Sequence, residues 1–207
     1  MDLYLIRHGR TVFNQEDRHQ YTTTPLAKEG FAAAEKLATR LSDIHFDVLY
    51  SSPMLRAVQT ADVLGKAWDQ KVRIFDELRE QKHPTSVEGK SRKDPEVMSI
   101  KSAIDEHAAE PDWHHSDEEN YWNVRDRVLG VQKKLVTNHY DQTVLAVSHG
   151  VCIKMFIATI VCGEAVTPAQ FIHLYYHTVT SNTGITHCRY TTDIGWHLVT
   201  MNDDAHL

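Results

Sequence analysis

The sequence predicts an α/β fold in which a mostly parallel central sheet is flanked by helices and finished by an antiparallel edge. Three observations carry this. Leu3 to Ile6 and Thr143 to Val147 are short, continuously apolar runs of the kind that form strands buried on both faces. Each passes at once into a polar stretch ending in histidine and glycine, Arg7-His8-Gly9 and Ser148-His149-Gly150. Between them, strand-like runs alternate with helical patterns, the signature of βα units.

The first strand delivers Arg7-His8-Gly9 to its carboxyl end, where open α/β sheets place their ligands. Arg7 offers a planar fork of donors suited to a phosphoryl or carboxylate group. Gly9 lets the backbone approach an anion closely or adopt positive φ. Thr24-Pro25 reads as an N-cap and first helical residue. The helix reaches about Leu41, and Phe31, Ala34, Leu37, Ala38 and Leu41 give it one apolar face. A second strand is expected over Phe46 to Tyr50, and Ser51-Ser52-Pro53 repeats the cap-and-proline signature before a helix to about Trp68. Arg56 falls in the first turn of that helix, where a cation opposes the macrodipole. An anion bound at the same helix N-terminus accounts for it; a solvated surface arginine is the other reading.

Val72 to Phe75 is a third strand candidate. From Gln81 to about Asp117 the chain is polar, rich in histidine and broken by Pro84, Pro95 and Pro111. This segment, 81–117, is expected to be an insertion that carries one helix, about Asp94 to Ala109, over the carboxyl edge of the sheet and supplies substrate contacts. Ser116 or Asp117 is expected to cap a long helix to about Val136. The second apolar strand follows, and after His149-Gly150 a helix runs from Val151 to about Val161. Phe171 to Tyr176, Gly184 to Tyr190 and Gly195 to Thr200 alternate and are expected to complete the sheet, in part antiparallel.

Length and composition set the bounds. A chain of 207 residues supports one substantial core, and a single domain over 1–207 is expected. With 42% hydrophobic and 24% charged residues, the composition is that of a globular protein and excludes overall disorder. A net charge of -6 argues against a nucleic-acid binder, so any phosphate site must be local. The apolar opening is too short for a secretory signal and no later run approaches a membrane span, so a cytoplasmic protein with no membrane partner is expected. Cys152, Cys162 and Cys188 are odd in number and lack close metal-type spacing, which points to reduced, partly buried thiols. Among 14 histidines, the pairs His114-His115 and His173 with His177 do not make a zinc pattern, and no metal is expected.

Arg7-His8-Gly9 with Thr11 and Asn14, Pro25-Leu26 with Gly30, the block from Ser51 to Ala61 around Arg56, Leu78-Arg79-Glu80, and Val147-Ser148-His149-Gly150 together resemble the histidine phosphatase superfamily, the phosphoglycerate mutase-like proteins. The motifs match in order from Asp2 to about Val151, and the block around Arg56 is the most specific. The resemblance implies a doubly wound α/β fold, a phosphohistidine intermediate, and neither metal nor other cofactor. It makes His8 the nucleophile, assigns Arg7, Arg56 and His149 to the transferring phosphoryl group, and makes Glu80 the general acid, ahead of Glu77 and Glu88. Asn14 matches a further pocket position, through a phosphate contact.

Elementary chemistry agrees. A neutral imidazole has a lone pair to give and an imidazolium does not, and two arginines and a second histidine beside His8 disfavour its protonation.

Three departures from the family pattern bear on substrate. Arg10 stands where an acidic residue or glutamine is common; it adds positive charge at the mouth, favouring a second anionic group, or is a salt-bridged surface residue. Arg18-His19-Gln20 stands where arginine, an aromatic and glutamine are usual, which makes His19 a candidate pocket residue. Gln81 to Lys90 replaces the usual glycine, aromatic, glutamate and glycine stretch. The expected activity is hydrolysis of a small-molecule phosphate monoester through His8. The alternatives are a phosphoglycerate mutase, which returns the phosphoryl group to a bound hydroxyl compound, and a non-catalytic phosphate-binding protein. The family's mutases are typically longer, with a larger insertion over the site, which favours hydrolysis.

Overall fold

A computed structural model describes residues 1–207. Its elements in chain order are β1 (Asp2–Arg7), α1 (Val12–Gln15), α2 (Lys28–Arg40), β2 (Val48–Ser51), α3 (Leu55–Trp68), β3 (Val72–Ile74), α4 (Pro95–Glu106), α5 (Tyr121–His139), β4 (Thr143–Ser148), α6 (Gly150–Val161), α7 (Pro168–His177), β5 (Ile185–Thr191) and β6 (Gly195–Asp203). They build one six-stranded sheet in the order β3-β2-β4-β1-β5-β6. The first four strands of that order run parallel, while β5 is antiparallel to β1 and β6 to β5. This is a doubly wound α/β sheet with an antiparallel edge.

The central strands are buried on both faces, and successive side chains feed two separate cores as the period-2 pleat requires. Leu3, Leu5, Val144 and Ala146 pack beneath α5 and α6, where Val128, Leu135, Ile153 and Phe156 meet them. Ile6, Leu145 and Val147 face the other way, onto Leu37 of α2 and Ala57, Ala61 and Leu64 of α3. No helix is long and apolar enough to cross a membrane. Cys152 and Cys188 are buried free thiols and Cys162 is an exposed one.

Five expectations about the elements are corrected. The helix expected from Thr24-Pro25 begins only at Lys28, because residues 26 and 27 are held outside it: Leu26 N–H donates to Gln59 and Ala27 N–H to the Arg10 carbonyl. Phe31 on this helix is 37% exposed, since the buried stripe runs through Gly30, Ala34, Leu37 and Ala38. Ser51-Ser52-Pro53 does not cap α3, whose N-cap is Met54; the Ser52 hydroxyl is engaged by His149 instead. Neither Ser116 nor Asp117 caps α5: residues 115–118 turn around the Glu118 carboxylate, and an Asn120–Asn123 capping box starts the helix.

The largest change is at Phe171 to Tyr176, expected as a strand and found within α7. Thr167 and Gln170 form a capping box with Pro168 at the first helical position, and Phe171, Leu174 and Tyr175 then reach the core at helical spacing.

Candidate active site

The sheet topology itself assembles the site. The chain leaves β1 toward β2 on one side and β4 toward β5 on the other, so the carboxyl ends of adjacent β1 and β4 form the crevice at which such sheets bind ligands. Arg7 pairs with Ser148 in register, which places the next residue of each strand, His8 and His149, side by side. Their ring centroids are 5.1 Å apart, close to the spacing of neighbouring strands. Beside β4 on the other flank lies β2, whose end leads into α3 and Arg56.

His8 is 2% exposed and its tautomer is fixed. Nδ1 lies 2.7 Å from the Gly9 carbonyl, which only accepts, so the proton sits on Nδ1 and the lone pair on Nε2. Nε2 faces Nε of Arg56, which donates to it across 3.2 Å. Burial, then Arg56 and Arg7, hold the His8 pKa well below its ordinary 6.5. His149 is likewise held well below 6.5 by burial first, then by Arg56. Arg56 itself is lowered to about 10, mainly by burial, and remains a cation near neutrality.

The arginines are anchored from behind. Nη1 of Arg56 donates to the Tyr21 carbonyl at 3.0 Å, and Nη1 of Arg7 donates to the Thr180 carbonyl at 2.5 Å. Nε of Arg7 and Nδ1 of His149 are buried and have no partner within the chain. An unpartnered buried polar group is unfavourable by about 1–3 kcal/mol, so two of them beside His8 describe a place suited to a ligand's oxygens. His149 Nε2 shares a 2.8 Å hydrogen bond with the Ser52 hydroxyl, which sets the orientation of its ring.

Glu80 arrives from the segment after β3. Its carboxylate accepts from the N–H groups of Gln81 at 3.0 Å and of Val151 and Cys152 at 3.2 Å, at the start of α6. A side chain at Gly150 would come within 3.8 Å of Glu80 Oε2 and 3.7 Å of Arg7 Nε, so acid and guanidinium meet over the same helix terminus. Glu77 is turned away to Lys134, whereas Glu88 lines the same cavity as Glu80.

Arg7, His8, Arg10, Asn14, His19, Arg56 and Glu80 all line one cavity of about 1130 Å³. Asn14 Oδ1 is consumed locally by the Thr11 N–H and hydroxyl, leaving its amide nitrogen as the group free for a ligand. Arg10 is exposed at the rim. His19 is buried and packs edge to face against His83 at 4.6 Å.

Gly9 serves a different purpose from the one expected. Its φ is not positive; a Cβ there would lie 2.7 Å from the Gly30 carbonyl, so it admits α2 rather than an anion. His173 and His177 stack at 4.2 Å on exposed α7, and no group of three His, Cys, Asp or Glu side chains gathers as a metal site.

Sequence reasoning missed the groups that hold the site from afar. Asn182, between α7 and β5, donates to the His8 carbonyl and toward Asn14. Thr60 accepts from the Gly9 N–H and donates to the Arg56 carbonyl, joining nucleophile loop to helix. Lys154 is a buried cation at the cavity wall, held by the carbonyls of Tyr175 and Thr178. Only Thr60 had a signal, its place in the block around Arg56.

An uncharged imidazole beside a buried and a half-buried guanidinium at a sheet crevice is an arrangement suited to an anion in an α/β protein. The chain belongs to the histidine phosphatase superfamily (branch 1), whose profile matches residues 3–204. Phosphoserine phosphatase 1 of Hydrogenobacter thermophilus is 32% identical over 158 residues, 73% of this chain and 72% of that protein. The solved structure of Bacillus stearothermophilus YhfR superposes with a TM-score of 0.84 at 27% identity, covering 99% of this chain and 98% of that one. An Entamoeba histolytica phosphoserine phosphatase mutant in complex with phosphoserine superposes with a TM-score of 0.82 at 25% identity, covering 100% of this chain and 98% of that one.

Proposed function

We propose that this protein hydrolyses phosphate monoesters through a phosphohistidine at His8, with residues 1–207 acting as one catalytic domain. The observation that carries this is the fixed tautomer of His8: the Nδ1–H is spent on the Gly9 carbonyl, so Nε2 carries the lone pair, which accepts from Arg56 until a phosphoryl oxygen takes that N–H and frees it for attack.

In the first step Nε2 attacks phosphorus, the P–N bond forms and the ester P–O bond breaks. Arg7, Arg56 and His149 take the equatorial oxygens, where charge is spread during in-line transfer. This gives Arg7 Nε and His149 Nδ1 the partners they lack. Glu80 protonates the departing alkoxide, and in the second step accepts a proton from the water that attacks the phosphoenzyme, releasing orthophosphate and restoring His8. Asn14 contributes an amide N–H to the same group.

The proposal is tested by incubating the enzyme with p-nitrophenyl phosphate, quenching in base, where phosphohistidine survives, and mapping the phosphoryl adduct by mass spectrometry. An adduct on the peptide carrying His8, absent from His8→Ala, is expected, together with stoichiometric orthophosphate. Interconversion of 2- and 3-phosphoglycerate faster than orthophosphate release assigns the protein as a mutase instead. Absence of both turnover and adduct, with phosphate compounds bound equally by wild type and His8→Ala, makes it a binding protein.

A further inference from the structure

A second cavity of about 410 Å³ lies beside the phosphoryl pocket, between α4 and α7. The two share His19, Gln81, Lys82, His83, Arg92, Val151 and Tyr175 as common walls, so a ligand whose phosphoryl group sits at His8 extends naturally from one into the other.

Its chemistry differs from that of the first. Val97, Ile100 and Ile104 of α4 face Phe171 and Tyr175 of α7 across it, with Trp113 at one end. The first three recur three and four residues apart, a single helix face. Of the cations at its edge, Lys82 pairs with Asp117 at 2.9 Å and Lys101 with Asp105, while Arg92 lies 3.7 Å from Asp17 on the wall shared with the first cavity. The acid Glu118 is spent on the N–H groups of His115 and Ser116. At the throat, burial holds His19 and His83 uncharged, with pKa values lowered to about 3 and about 4. Nδ1 of His19 has no partner within the chain.

A chamber whose walls between α4 and α7 are apolar, with its cations confined to the edge and neutral imidazoles at its entrance, offers little to a second phosphate or carboxylate at its far end. An apolar cavity of roughly 150 Å³ already accepts benzene, and enclosed small-molecule sites run from roughly 300 to 1,000 Å³. The space suits one substituted or fused ring and the linker to the ester oxygen. Resting on the reading of His8 as phosphoryl acceptor, we infer that the substrate is a phosphate monoester of an alcohol bearing an uncharged, largely apolar, ring-sized group, which seats between α4 and α7 while His19 and His83 edge its path. The open rim at Arg10 belongs to the first cavity and stays solvated when such a substrate is bound.

The experiment compares 2-phenylethyl phosphate with ethyl phosphate, whose leaving alcohols are of similar acidity, and with phosphoserine, which carries extra charge. Burying the ring is expected to raise kcat/KM for 2-phenylethyl phosphate about tenfold to a hundredfold over ethyl phosphate, and phosphoserine is expected to fall below both. Ile104→Trp fills the chamber and is expected to erase the preference while leaving ethyl phosphate turnover within about twofold. Equal rates for the two esters of uncharged alcohols, a preference that survives Ile104→Trp, or phosphoserine as the best of the three overturns the inference. Should Ile104→Trp fail to fold, calorimetric binding to wild type decides: tighter binding of 2-phenylethyl phosphate than of ethyl phosphate sustains it, and equal affinity defeats it. That measurement reads the chamber even where no ester, p-nitrophenyl phosphate included, is turned over, an outcome that removes the hydrolase reading alone.

Discussion

Nε of Arg56 donates to Nε2 of His8 across 3.2 Å, so the guanidinium occupies the direction of the imidazole's lone pair. A proton on Nε2 would meet that N–H head-on. Burial and the neighbouring guanidinium groups therefore both hold His8 uncharged.

Stability should consequently weaken toward acid pH. In the folded chain His8 and His149 are held well below 6.5, by burial first and by Arg56 next; in the unfolded chain they regain ordinary values. Between the two values the unfolded chain binds more protons, so stability is present above about 6.5 and is lost as pH falls toward the folded pKa. Each fully buried imidazole contributes a slope of up to about 1.4 kcal/mol per pH unit. Thermal melts at about pH 7.5, 6.5 and 5.5 should show a falling Tm, and His8→Phe should flatten the slope. A Tm that rises toward acid contradicts this.

Glu80→Gln separates proton donation from shape. The amide oxygen can still accept from the N–H groups of Val151 and Cys152, but the side chain has no acidic proton to give. An alkyl ester, whose alkoxide leaves poorly, should lose about 10²–10³ in kcat/KM, and p-nitrophenyl phosphate less than about tenfold. Equal losses on both would take the acid role from Glu80 and leave Glu88, on the same cavity, as the carboxyl group placed to fill it.

The Glu80 loop depends on Arg127, whose side chain is only 6% exposed. Arg127 donates to the carbonyls of Glu77 and Arg79 at 2.7 and 2.9 Å and to both oxygens of Glu119 at 2.9 Å. Arg127→Met leaves Glu119 with Arg79 alone among side chains and frees two backbone acceptors. Breaking a buried pair from one side typically destabilises by about 3–5 kcal/mol. Urea denaturation should register a loss of that order, and the alkyl-to-aryl rate ratio should move as in Glu80→Gln, because the acid is no longer placed. An unchanged ratio would make Arg127 purely structural.

What was legible in the sequence follows from the range of the interactions involved. His8, Arg56 and His149 each sit just after a buried apolar strand or at the start of a helix, so local pattern located them and parallel pairing brought them together. The six residues from Phe171 to Tyr176 satisfy strand and helix periods alike; the capping box and proline just upstream decide for helix. Ser52 on His149, Thr180 on Arg7 and Asn182 on His8 act across long sequence separations. Two of those three bonds end on a backbone carbonyl, which has no sequence identity. The chamber between α4 and α7 escaped for the same reason: neither helix's apolar face names its opposite.

The close approach that sets the nucleophile loop on α2 gives a prediction whose sign is diagnostic. A Cβ at Gly30 would lie 2.2 Å from the Arg10 carbonyl oxygen and 2.9 Å from its nitrogen, and one at Gly9 would lie 2.7 Å from the Gly30 carbonyl. These are contacts with backbone, so no side-chain rotation relieves them, and the same turn is pinned by the Ala27 N–H donating to Arg10 at 2.8 Å. Propensity alone favours alanine over glycine inside a helix by about 1 kcal/mol. Gly30→Ala should reverse that sign, destabilising by about 1–3 kcal/mol or more through overpacking, and should lower kcat because the displaced strand of backbone begins two residues from His8. Gly130→Ala in α5, where nothing lies within 4 Å of the added carbon, supplies the control and should stabilise by up to about 1 kcal/mol. Urea titrations of the two variants beside wild type, with p-nitrophenyl phosphate turnover, read both effects; stabilisation by Gly30→Ala with full activity would mean that the loop and the helix are not locked together.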